Sequence, residues 1–171
     1  TRLAYFGIVL AVGIVWANSL GGDLLFDDHF VIAGNGCFKS WEGVKRTLSM
    51  ATGDPCAYRP VRYLSYALDH ALWGDHTWAY HLGNIVWHAI AALVAGGLAA
   101  RLSADAAGRA EVAPSDRWFG VAVASLWALH PAQTDSVTYM SGRRDIMVGL
   151  WSMAAVWAAL VARHRGTLFW L

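Results

Sequence analysis

Residues 85–102 read IVWHAIAALVAGGLAARL, eighteen positions in which only His88 and Arg101 can carry a charge. As a helix rising about 1.5 Å per residue this stretch reaches about 27 Å. A bilayer's hydrocarbon core is about 30 Å thick. A helix of a soluble domain shows one apolar stripe, whereas this run is apolar nearly all round. It predicts a membrane-crossing helix, reaching back to about residue 83.

Three similar runs lie on either side. Leu3–Leu20 is apolar apart from Asn18 and Ser19, Trp118–His130 is shorter, and Ile146–Ala162 is closed by Arg163, His164 and Arg165. The residue before a proline is steered away from the α region, so the third run should end at His130-Pro131. The predicted fold class is all-α: a polytopic membrane protein with about four transmembrane helices (3–20, 83–102, 118–130 and 146–162) and a long first outer loop, about 21–82. A signal peptide would also place a basic residue before an apolar run, but three later apolar segments favour an anchor. The chain has no initiating Met and stops inside a new apolar run, Thr167–Leu171. It is therefore expected to be the N-terminal portion of a longer protein.

Composition agrees. Hydrophobic residues make up 57% and charged residues 15%, against about 45–50% and about 25% in typical globular chains. Ten tryptophans suit the boundary between headgroups and acyl chains. A net charge of +1 with no basic stripe argues against a nucleic-acid partner. Arg2, Arg101, Arg109, Arg117, Arg163 and Arg165 would share one side, the cytoplasmic one by the positive-inside rule. Arg143 and Arg144, in the opposite short loop, run against that count and so call for a reason of their own. Ser103–Ser115 reads as a polar cytoplasmic loop.

On this topology the 21–82 loop is extracytoplasmic and carries two short amphipathic helices. Ser40 can cap one over Trp41–Met50. Pro60 suits the first turn of another that ends before Gly74, with Val61, Leu64, Leu68 and Leu72 at helical spacing. Such helices can lie flat at a membrane surface. Cys37 and Cys56 both fall in this loop; an oxidising compartment would allow a bridge, and two free thiols fit equally well.

Polar residues near the membrane are costly and often functional. Asp27 and Asp28 are adjacent carboxylates just beyond the first helix. Mutual repulsion can raise one of them toward general-base duty, and a solvated acidic turn is the plainer reading. His81, Asn84 and His88, at i, i+3 and i+7, share one helix stripe. The two histidines are about 10 Å apart along the axis, too far to chelate one ion alone, so interior packing or substrate contact is favoured over metal. His130, Asp135, Arg143, Arg144 and Asp145 crowd between the third and fourth runs. Arginine's planar fork suits a phosphate, and an ion pair of Arg143 or Arg144 with Asp135 or Asp145 is the structural alternative.

In order along the chain stand Phe26-Asp27-Asp28 with Ile32 and Asn35, then Tyr58-Arg59-Pro60-Val61. Tyr80-His81-Leu82-Gly83-Asn84 with His88 follows, and Ala128-Leu129-His130-Pro131 with Thr134-Asp135 and Gly142-Arg143 closes the set. The set resembles the membrane part of the GT-C glycosyltransferases, above all the transmembrane-and-tetratricopeptide-repeat protein O-mannosyltransferases and their bacterial relatives. Asp135 stands where that family is expected to carry Glu, and Arg144 where a small residue is usual.

The resemblance implies an inverting transfer of a sugar, mannose or another hexose, from a polyprenyl-phosphate carrier. The acceptor would be a protein or glycan hydroxyl on the extracytoplasmic side. It implies Asp27 as general base with Asp28 in support, and Arg59, Arg143 and Arg144 on the donor phosphate. Tyr58, His81, Asn84, His88, His130, Asp135 and Asp145 would line the cavity, with no cofactor and no required metal. The expected setting is a bacterial inner membrane with a periplasmic site, or the endoplasmic reticulum membrane of a eukaryote. A transporter, or an inactive scaffold subunit, is the alternative class.

Overall fold

Helix α1 (Arg2–Trp16) opens the chain and tightens into a 3-10 turn over Ala17–Gly21. The computed structural model describes residues 1–49, 56 and 59–164. Among them every regular element is helical. Tyr58, Arg165 and the Thr167–Leu171 run lie outside the described residues.

Two short helices form where local chemistry dictates. In α2 (Trp41–Leu48) the Ser40 hydroxyl accepts from the Gly43 N–H at 3.1 Å, satisfying a donor that the first turn leaves open. Helix α3 (Pro60–Trp73) begins at Pro60, whose missing N–H costs nothing there. It ends where Gly74 takes φ +66, a left-handed conformation that glycine adopts cheaply.

Helix α4 runs Thr77–Ala106, 30 residues, starting well before the predicted crossing because Trp78–Leu82 continues the helix. Helix α5 (Pro114–Leu129) stops as expected, with His130 at ψ 131 ahead of Pro131. A short helix α6 (Thr134–Thr138) leads to α7 (Arg143–His164). Among the described residues three stretches are long and apolar enough to cross a membrane: Arg2–Gly21, Thr77–Ala106 and Met140–Arg163. The protein is a polytopic helical membrane protein. The predicted third crossing is a helix of 16 residues, about 24 Å long, shorter than each of those three stretches.

The chain forms two compact units. One comprises Thr1–Val15, Val86–Gln133 and the chain from Asp145 onward. Its helices meet at glycines. A Cβ on Gly96 would lie 2.9 Å from both the Gly120 carbonyl and the Tyr5 ring, and one on Gly97 would lie 2.5 Å from the Trp157 ring. Small residues admit this close approach in membranes, where water supplies no hydrophobic drive between helices. The segment read as a plain polar loop is instead an ionic knot. Asp116 accepts from Ser103, Arg109 and the Ala113 N–H, and the buried Arg101 pairs with Asp105 and donates to the Ala110 carbonyl.

The other unit comprises Trp16–Ile85 and Thr134–Arg144. Its core is aromatic. Phe38 sits 5.5 Å from the Tyr66 ring and 6.3 Å from those of Tyr63 and Tyr80, with Ile32 and Met140 filling in. Helix α3 presents itself in reverse to a soluble helix: Val61, Leu64, Leu68 and Leu72 are exposed, while Arg62, Ser65 and Tyr66 are buried.

Next to Phe38, Cys37 and Cys56 form a disulfide, which decides between the two alternatives left by the sequence. With the partners 19 positions apart, the bond should add about 3 kcal/mol on the chain-entropy view. Cys37→Ser should therefore lower the melting temperature of the purified protein. Equal melting of variant and parent would show that the bond carries no stability.

Candidate active site

The loop after the first helix is held under backbone strain. Phe26 has φ +42, a conformation that side chains with a Cβ rarely adopt and that costs on the order of 1–3 kcal/mol. It persists because the next two residues are anchored. Asp28 is buried: its Oδ1 accepts from the Ser141 N–H at 2.9 Å and the Ser141 hydroxyl at 2.6 Å, and its Oδ2 from the Leu25 N–H at 3.2 Å. Asp27 donates its backbone N–H to the Tyr139 hydroxyl at 2.9 Å. Its carboxylate is exposed and has no partner among the described residues. The adjacent acids thus divide: Asp28 is bound into the fold and Asp27 is presented.

The segment that receives them is itself fixed. Asn84 Nδ2 donates to the Tyr139 carbonyl at 2.9 Å, and to those of Val137 and Met140 at 3.3 Å. Tyr66 donates its hydroxyl to the Met140 carbonyl at 3.0 Å, and burial pushes its phenol up to about 12. Asn84 Oδ1 in turn accepts from Arg143 Nε at 2.7 Å.

Arg143 is fully buried, and each of its three nitrogens has a partner. Besides Asn84 it donates to Ser65 Oγ at 3.1 Å and the Tyr80 carbonyl at 2.8 Å, and its guanidinium carbon lies 4.4 Å from the Tyr66 ring centroid. Asp69 Oδ2 stands 2.6 Å from Nη2. Burial pushes the Asp69 carboxyl up, and the guanidinium draws it back down. Gly83 makes room, since a Cβ there would fall among Arg143 and Asp69 side-chain atoms. This argues against the phosphate role expected for Arg143, because Nε, Nη1 and Nη2 each already have a partner inside the fold. For Arg143 the ion-pair alternative holds in kind, with Asp69 as the partner.

The other expected residues separate. Arg59 is exposed just before α3, and Arg144 is exposed beside buried Arg143. Asp135 and Asp145 are exposed, and His130 is an exposed residue whose Nδ1 accepts from the Ala132 N–H at 3.1 Å. His81 and His88 are buried as the stripe predicted, but in different units. His81 Nε2 lies 3.3 Å from the Gly22 carbonyl, and His88 Nε2 lies 2.9 Å from that of Ala128, with its ring 4.9 Å from Trp127. Asp69 and Ser141 stand within the polar clusters of the sequence, whereas sequence reasoning missed Ser65 and Tyr139. Of these two only Ser65 left a trace, lying on the polar stripe of α3.

This arrangement, a presented carboxylate braced on a buried polar lattice, is set in a chain with known relatives. Protein O-mannosyl-transferase F38B6.6 of Caenorhabditis elegans is 26% identical over 160 residues, covering 87% of this chain and 22% of that protein. Protein O-mannosyl-transferase TMTC2 of Mus musculus is 28% identical over 155 residues, 85% of this chain and 17% of its own length. The chain is similar to protein O-mannosyl-transferases. The human TMTC3 protein of that name is 26% identical over 159 residues, covering 86% of this chain and 16% of its own. The likeness named from the motifs therefore holds along most of the chain, which spans about a fifth of the curated relatives' length. These relatives are animal proteins and lend no support to the bacterial inner membrane as its setting. No protein-family profile and no solved structure matches.

Proposed function

We propose that the chain is part of a membrane glycosyltransferase of the GT-C kind, moving a mannose or related hexose from a polyprenyl phosphate to a protein Ser or Thr hydroxyl on the extracytoplasmic side. One observation carries the reading: among the described residues Asp27 offers an unpartnered carboxylate while Asp28, next to it, is locked to Ser141. Asp27 takes the proton of the acceptor hydroxyl. The freed oxygen attacks the anomeric carbon from the face opposite the phosphate, and the carbon–oxygen bond to the phosphate breaks. The configuration inverts, the polyprenyl phosphate leaves with the bonding pair, and Asp27 releases its proton to solvent.

Two features support a lipid-borne donor. Leu25, Phe26 and Phe30 expose apolar surface on either side of the acid pair, as expected where an acyl or prenyl chain approaches. The exposed guanidiniums of Arg59 and Arg144 bring positive charge to the departing phosphate, whose own charge grows as the bond breaks. The test is transfer by the full-length protein in liposomes. Labelled mannose should reach a Ser/Thr peptide from a polyprenyl-phosphate donor and not from a nucleotide sugar. Transfer from the nucleotide sugar alone would refute the donor.

A further inference from the structure

Arg62 contrasts with Arg143. It is 6% exposed, yet its Nε finds no acceptor and no carboxylate lies within ion-pair distance among the described residues. Among the described residues its one hydrogen bond runs from Nη2 to the Tyr63 hydroxyl at 3.2 Å, and its guanidinium carbon lies 4.9 Å from the Tyr63 ring centroid. That hydroxyl also accepts from Asn35 Nδ2 at 3.3 Å. A tyrosine oxygen with two donors aimed at it has its own O–H left to give. Donors therefore gather here without an acceptor: the Arg62 Nε–H and the Tyr63 O–H. Asn35 belongs to the wall of a cavity of about 510 Å³, with Phe30, Ser40 and Glu42.

A buried cation without an anion is costly, and the cost disappears when an anion binds. We propose that Arg62, with Tyr63 and Asn35, forms a binding site for a phosphate ester anion. Resting on the function proposed above, we assign that anion to the phosphate of the polyprenyl donor. Arg62 supplies the fork geometry that phosphate oxygens favour, the role that Arg143, already neutralised by Asp69, does not fill.

The test uses the full-length protein in detergent, with inorganic phosphate and a short-chain isoprenyl phosphate as separate probes. Both should raise the melting temperature of the parent, because a ligand that binds only the folded state stabilises it. Arg62→Gln should weaken isoprenyl phosphate binding by about tenfold or more, with Arg62→Lys in between. In anion-free buffer Arg62→Gln should melt at or above the parent, since an uncompensated charge has been removed. A lower melting temperature, or a variant that cannot be purified folded, would mark Arg62 as structural and overturn the site. Isoprenyl phosphate binding retained in Arg62→Gln overturns the site and leaves the donor reading standing. Arg62-dependent binding of inorganic phosphate alone keeps the anion site and overturns its assignment to the donor.

Discussion

Asp27→Asn should lower sugar transfer by about 10²–10⁴-fold, the usual contribution of a positioned general base, while the variant melts with the parent. The change swaps one oxygen for an amide on an exposed side chain with no partner among the described residues, and the Asp27 backbone N–H that meets Tyr139 stays in place. Loss of rate therefore reads the chemistry and not the scaffold. Asp28→Asn should behave otherwise, because Asp28 accepts three hydrogen bonds in the interior. Hydrogen bonds to a charged group contribute about 1.5–3 kcal/mol each, so this second variant should melt earlier. Near-normal turnover by Asp27→Asn would remove it from the base role.

The second large effect is on stability. Arg143→Met should cost about 3–5 kcal/mol, the range for breaking a buried pair and stranding its partner. Here the stranded groups are the Asp69 carboxylate, the Tyr80 carbonyl and Asn84 Oδ1. Because Asn84 also holds the 137–140 carbonyls that receive the acid loop, activity should fall along with melting temperature. Asp69→Asn added to Arg143→Met should restore part of the loss, since groups in one network are not additive. Thermal melts of the three variants check this. If Arg143→Met melted like the parent and lost only donor affinity, the arginine would be a phosphate ligand after all.

Much of the architecture could be read in advance because its causes are local. Ser40, Pro60 and Gly74 mark helix ends by their own backbone chemistry, and α2 and α3 begin and end there within a residue or two. The burial of His81, Asn84 and His88 followed from helical spacing.

What escaped was decided at long range. The partner of Arg143 is Asp69, 74 positions earlier, and nothing in the local pattern near 143 points to it. The orientation of α3 was open for a different reason. Its apolar stripe reads as a core face in water, but in a chain that spans membranes the same stripe is free to face outward while the polar stripe turns in. That inversion buries Arg62, Ser65 and Tyr66 around the acid pair's support. Start points of long helices also slipped, because hydropathy marks where lipid begins, and α4 is already helical at Thr77.

The reading depends on Asp27 being the acid that meets substrate. A structure of the full-length protein with an unreactive polyprenyl-phosphate sugar measures this directly. The Asp27 carboxylate should stand on the side of the anomeric carbon opposite the phosphate, with room for one hydroxyl at hydrogen-bond distance, about 2.6–3.2 Å. A sugar seated away from Asp27, or with the phosphate on the same side as that carboxylate, would contradict the account.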